Sequence, residues 1–114
     1  MATATVVKTR TVARATKAQR DAALRVKRAQ QAAILLKHVS EPTRLRIILL
    51  LAEGERHVGA LSEAVDQNQP TVSHHLTLLR HGGIVARRRE GKNNIYGLTE
   101  PGERLASIVK NVVA

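Results

Sequence analysis

Few side chains in this 114-residue chain could do chemistry, and their types limit what that chemistry is. Cysteine is absent, which excludes disulfides, thiolate metal ligands and thiol redox sensing together. The histidines, His38, His57, His74, His75 and His81, form a scattered set. No cysteine nucleophile, glycine-rich phosphate loop or plausible catalytic carboxylate pair accompanies them, so an enzyme is the weakest reading. The stretch with most to offer runs from Asn68 to Gly83. Placed at about 100° per residue around a helix axis, Pro70, His74 and Thr77 share one face, with Thr71 and Ser73 flanking it at the N-terminal end. These are short groups, mostly hydrogen-bonding, with no acid among them. Such a face can approach phosphates and base edges without charge repulsion, as a helix entering the major groove must.

Several elements must hold that face outward. On the opposite side Val72, Leu76 and Leu79 recur at i, i+4 and i+7, an apolar stripe that has to meet a core. Asn68 can cap the helix, Pro70 suits its first turn, and Gly82 and Gly83 supply a stop by accepting the left-handed conformation. Just upstream, Val58, Leu61 and Val65 mark a short helix ending near Asp66, so that helix, the turn Asp66-Gln67-Asn68 and the capped helix make a helix-turn-helix over about 58–82. Downstream, Ile84–Arg89 and Asn94–Leu98 read as strands joined through Glu90-Gly91-Lys92-Asn93, a hairpin over about 84–98. Arg87, Arg88 and Arg89 cannot all point inward from an alternating strand, so at least part of this hairpin is a basic wing.

Earlier in the chain, Lys17 to about His38 is free of Gly and Pro and forms a first long helix, whose Ala32–Leu36 stretch is apolar enough to meet a neighbour or a second subunit. Ser40-Glu41-Pro42 reads as a cap, a dipole-favoured acid and a first-turn proline for a second helix to about Glu53. That helix carries Leu45 and Ile47 to Leu51, the centre of the core, and Gly54 ends it. Glu55-Arg56-His57 is a short link with room for an extended conformation, and from Glu100 a last helix carries Leu105, Ile108 and Val112. The expected fold is mainly α with a small β-hairpin wing.

Composition sets the outer limits. There are 19 Lys and Arg against 9 acids, a net charge of +10, which points to a polyanion partner rather than a merely soluble basic surface. One Tyr with neither Phe nor Trp leaves little for base stacking and argues against most single-strand and RNA binders. No apolar run reaches the roughly 18 residues of a membrane span, so no membrane role is expected, and the chain reads as soluble and cytoplasmic. Up to Gln30 the basic residues are Lys8, Arg10, Arg14, Lys17, Arg20, Arg25, Lys27 and Arg28, opposed by Asp21 alone. Residues 1–16 read as a flexible basic arm, either a contact to DNA phosphates or the minor groove or a solvated tail, and residues 17–114 as one domain. An acid-poor, Arg-containing start also resembles a transit peptide, but the basic character continues into a helix that the domain needs.

The run Ser40-Glu41-Pro42-Thr43-Arg44-Leu45-Arg46-Ile47-Ile48-Leu49-Leu50-Leu51 resembles the ArsR family of bacterial winged-helix repressors. So do Gln69 to Leu76 with Leu79-Arg80, then Arg89-Glu90-Gly91-Lys92 and Ile95-Tyr96, the likeness covering roughly residues 28–114 in order and spacing. The resemblance implies a winged helix-turn-helix homodimer held mainly by its first and last helices, with Leu35, Leu105, Ile108 and Val112 in the dimer interface. It implies that two recognition helices dock on a palindromic operator in double-stranded DNA, and that an effector, unknown from these residues, releases it. The family's helix-turn-helix contacts carry over to Gln69, Thr71, Ser73 and His74. On the wing, Lys92 and Asn93 sit at the turn, within reach of phosphate or a minor-groove edge, and Arg87 and Arg89 behind them are either phosphate contacts or a solvated strand face. His75 lies nearer the apolar stripe and reads as structural. Where many metal-sensing members place a Glu-x-Cys-x-Cys arrangement, this chain has Glu55, Arg56, His57, Val58 and Gly59; where others bind zinc on the last helix, it has Glu100 and Glu103 but no histidine. One histidine beside an arginine cannot supply the three or four ligands a transition metal needs, so neither metal nor cofactor is expected.

The competing reading is a nonspecific, nucleoid-type protein that coats DNA through its arm and wing. Deleting residues 1–16 tests the arm under either reading. The salt dependence of DNA binding should flatten by about 0.9 in log–log slope for each phosphate that the arm had neutralised, and an unchanged slope would make the arm a passive tail.

Overall fold

The structure, a computed structural model, describes residues 14–113, so the arm expected over residues 1–16 lies almost wholly outside the described residues. Among the described residues five helices and three strands follow one another: α1 (Lys17–Val39), α2 (Pro42–Glu53), β1 (Arg56–His57), α3 (Val58–Val65), α4 (Gln69–His81), β2 (Val85–Glu90), β3 (Asn93–Leu98) and α5 (Glu100–Val113). The chain divides after Ile34 into two units. In the first, every residue of α1 is exposed, and the helix opens on a reciprocal capping box: Gln19 N–H donates to Thr16 Oγ1 at 3.1 Å while Thr16 N–H donates to Gln19 Oε1 at 2.8 Å.

The second unit has a single apolar core. Ile47, Ile48, Leu61, Val72, Leu76 and Leu79 are each fully buried, joined by Val39, Leu51, Val65, Ile84, Val85, Leu105 and Ala106, with Tyr96 closing one side. Of the aliphatic run on α2, Ile47, Ile48 and Leu51 carry the burial, while Leu45, Leu49 and Leu50 are half-buried, as a helix with one face inward requires. The cap of α2 differs from the expected one. Glu41 is the N-cap, its carboxylate accepting from the N–H of Arg44 at 3.0 Å, whereas Ser40 turns back to donate its hydroxyl to the carbonyl of Lys37 at 3.1 Å.

The strands form one antiparallel sheet in the order β1-β3-β2. Pairing runs from Val85 opposite Leu98 to Glu90 opposite Asn93, which leaves Gly91 and Lys92 alone in the turn. Gly91 has φ of +63° at the first turn position, the placement a tight hairpin of type II′ asks of glycine. The link Glu55-Arg56-His57 contributes β1, with Arg56 opposite Tyr96 and His57 opposite Ile95, so the sheet has a third strand beyond the expected hairpin.

α5 is fastened to the start of the wing. The Thr99 hydroxyl caps the helix by accepting from Gly102 N–H at 3.2 Å, and it reaches the carbonyls of Gly83 at 2.6 Å and Ile84 at 3.1 Å. Gly102 is what allows this approach, since a Cβ placed there would stand 2.2 Å from the backbone carbonyl oxygen of Ile84. Gly102→Ala therefore sets two effects against each other. Helix propensity would stabilise by about 1 kcal/mol, but the clash is with backbone and should outweigh it, for a net loss of about 1–3 kcal/mol. Denaturant unfolding at fixed protein concentration reads the outcome, and an equal or more stable variant would show that α5 can shift freely.

Candidate nucleic-acid interface

α4 is built as a rigid presenter. α3 ends on Asp66, the one non-glycine residue among those described with a left-handed backbone, at φ 55°. Gln67 fixes the turn by donating its side-chain amide to the buried Thr43 hydroxyl at 2.9 Å, and Asn68 caps α4 by accepting from Thr71 N–H at 2.9 Å. At the far end Gly82 is right-handed and only Gly83, at φ +75°, adopts the left-handed conformation expected of both. Between these limits Val72, Leu76 and Leu79 are completely buried.

Burial of that stripe settles which side chains face out. Gln69, Pro70, Thr71 and His74 are exposed and Ser73 is half-buried, so all four candidate contacts stand on the first two turns of one helix. Thr77 departs from the expected outer face: it is half-buried, and its hydroxyl donates to the Ser73 carbonyl at 2.9 Å. The first turn of α4 carries no acid, and its leading N–H groups present partial positive charge to an approaching anion.

The other group of candidates lies on the hairpin. Arg87, Arg89, Lys92 and Asn93 are exposed, Lys92 in the turn itself. The three consecutive arginines are not equivalent. Arg88 donates to Glu55 at 3.1 Å and to Glu90 at 2.5 Å, and hydrogen bonds first to Glu55 and then to Glu90 raise its pKa above the ordinary arginine value. Arg87 and Arg89 have no carboxylate partner among the described residues; Arg89 only donates to the Gly91 carbonyl at 3.2 Å. Free positive charge on β2 is thus concentrated at Arg87 and Arg89.

The residues named for a dimer interface separate into two kinds. Leu105 is buried and Leu35 half-buried against the chain's own core, while Ile108 and Val112 are 58% and 78% exposed. A groove of about 340 Å³ brings Leu105, Ile108 and Val112 together with Leu36, Val39 and Leu45. Leu36, at the end of the apolar Ala32–Leu36 stretch, is 54% exposed and lines this groove.

Two histidines acquire definite roles. His57 is the N-cap of α3, its Nδ1 accepting from Ala60 N–H at 3.2 Å. His75 is half-buried beneath the outward face, and its Nδ1 accepts from Arg44 Nε at 3.1 Å, which places the ring proton on Nε2. Arg44 carried no candidate role in the sequence; its pairing with a residue 31 positions away has no local signature.

Comparison with known proteins agrees with this geometry. A family model described as "Bacterial regulatory protein, arsR family" matches residues 41–87. A biofilm growth-associated repressor of Agrobacterium fabrum is 43% identical over 88 residues, which cover 77% of this chain and 74% of that protein. Among solved structures, the transcriptional repressor BigR from Xylella fastidiosa superposes with a TM-score of 0.70 at 41% identity, covering 76% of this chain and 87% of that one. A homodimeric winged helix-turn-helix DNA-binding domain from Mycobacterium bovis gives a TM-score of 0.70 at 38% identity, covering 88% of each chain.

The setting of His75 also makes stability depend on pH. Burial lowers its pKa below the ordinary 6.5, with Arg44 and His74 acting in the same direction and Glu41 opposing them. The unfolded chain gains this proton near the ordinary value and the folded chain only at lower pH. Between those points the unfolded state binds more protons, and stability is lost as pH falls, by at most about 1.4 kcal/mol per pH unit. Burial alone would raise the Glu41 pKa, but the N–H groups of Arg44 and Thr43 outweigh it and hold it below 4.5, so its own loss comes only in stronger acid. His75→Asn keeps an acceptor near the Nδ1 position without a titrating ring. Melting curves between about pH 7 and pH 5 should fall for the natural protein and flatten for this variant; parallel curves would place the titrating group elsewhere.

Proposed function

The chain belongs to the ArsR family of bacterial regulatory proteins, and on that premise we propose that it is a homodimeric, sequence-specific transcriptional repressor acting in the cytoplasm on a palindromic operator. One observation carries the reading: an exposed, acid-free face on the first two turns of α4, held outward by the fully buried stripe Val72, Leu76 and Leu79 on its other side. Gln69, Thr71, Ser73 and His74 take the base-edge and adjacent contacts. Arg87, Arg89, Lys92 and Asn93 take phosphates or a minor-groove edge through the wing, and residues 1–16 act as a basic arm beside the domain at 17–114. The apolar groove between the end of α1 and α5, with Ile108 and Val112 on its rim, receives the same groove of a second copy.

The second reading, a nonspecific DNA-coating protein, draws on the net charge of +10 and the exposed arginines of β2. Footprinting separates the two, since a repressor protects a short palindrome and a coating protein protects scrambled duplex equally. His74→Ala sharpens the test. Operator affinity should fall by about 1–3 kcal/mol with nonspecific affinity little changed, because base contacts specify while phosphate contacts only position. Equal loss on both duplexes would remove His74 from the groove.

A further inference from the structure

Arg44 joins three elements. Its Nη1 donates to the carbonyl of His38 at the end of α1 at 2.6 Å, its Nε donates to His75 Nδ1 on α4 at 3.1 Å, and its backbone N–H donates to the Glu41 carboxylate at 3.0 Å. A guanidinium holds its donors in one rigid plane, so bonds to two elements fix each with respect to the other. The groups facing the His75 ring are the Arg44 guanidinium, the Glu41 carboxylate at 3.9 Å, and the neighbouring His74 ring, 6.4 Å between centroids. Glu41 lies beyond hydrogen-bonding distance of the imidazole and is engaged by the cap of α2. The link to α4 therefore runs through Arg44.

We propose that Arg44 and His75 are positioning residues for operator reading: Arg44 holds His75, finely adjusts the rotation and depth of the first turns of α4 within the orientation that the buried stripe selects, and so governs discrimination between operator and other DNA rather than overall affinity. The inference rests on the regulatory reading above. Its physical basis is the unequal tolerance of the two kinds of contact. A base-edge hydrogen bond weakens steeply with misalignment, so a small roll of α4 degrades what Ser73 and His74 can read. Phosphate contacts made by long, exposed side chains such as Arg87 and Lys92 follow the backbone and absorb the same roll. Protonating Nδ1 removes the acceptor and brings two cations together, so the bridge opens in acid. Leu36, Val39 and Ser40 beside the His38 carbonyl line the apolar groove, so the bridge also connects that groove to the reading helix.

The test measures the full chain on the operator and on scrambled duplex at about pH 7.5 and about pH 5.5. Arg44→Met keeps the aliphatic stem and removes the donors. It should lose about three- to thirtyfold in discrimination, with scrambled-duplex affinity and salt slope unchanged. His75→Asn should discriminate as the natural protein does at the higher pH and escape the loss that the natural protein shows at the lower one. If the natural protein discriminates and both variants match it at both pH values, this inference is overturned and the regulatory reading stands. If the natural protein binds both duplexes equally, that reading falls and takes this one with it. Should Arg44→Met fail to fold by circular dichroism, the His75→Asn comparison decides alone, identical pH profiles overturning the proposal.

Discussion

The orientation of α4 about its own axis is the constraint on which the candidate interface depends, and apolar burial sets it. Val72, Leu76 and Leu79 are fully enclosed, and each such side chain stabilises by about 1.5–3 kcal/mol relative to exposure. A roll that brought even one of them to the surface would cost more than the roughly 0.5–1.5 kcal/mol of a typical hydrogen bond could recover. Apolar contacts therefore decide which face looks out. The polar bonds around the helix can only adjust it.

Those bonds are nevertheless placed where adjustment matters. Gln67 ties the turn before α4 to Thr43 on α2, and Arg46 donates to the carbonyl of Ala64 at 3.0 Å, where the last carbonyls of α3 lack helical partners. Arg56 reaches the Leu50 carbonyl at 3.3 Å. With Arg44 and Arg88, these make a set of cations engaged in holding the structure together. Their donors are committed within the fold, so they add to the positive field of the chain without being free to reach a partner.

Much of this was legible in the sequence, because the signals were local and periodic. The stripe on α4, the Asn68 cap, the His75 assignment to the inner side and the hairpin with glycine in its turn all follow from spacing within one element. What escaped depended on partners distant in the chain. Arg44 and His75 are 31 residues apart, Arg88 and Glu55 are 33, and β1 exists only because β3 arrives beside it. Competition between neighbours was equally hidden: Ser40 and Glu41 both suit a helix cap, and the carboxylate took the place while the hydroxyl turned to α1. Thr77 differs in another way: it is half-buried, and its hydroxyl is already satisfied by a backbone carbonyl one turn earlier in its own helix.

The hairpin register adds a consequence that residue counts conceal. A strand deals consecutive side chains to opposite faces, so the three arginines of β2 divide by parity, Arg88 on the side of Ile95 and Glu55, Arg87 and Arg89 on the other. The two-residue turn fixes that parity. In a loop one residue longer, the same six strand residues would slip by one, hand Glu55 an odd-numbered arginine and turn Arg88 to the opposite face. The arginines would be the same three, yet a different one would lie beside Glu55. Its electrostatic identity is a matter of odd and even numbers, written in the length of a turn.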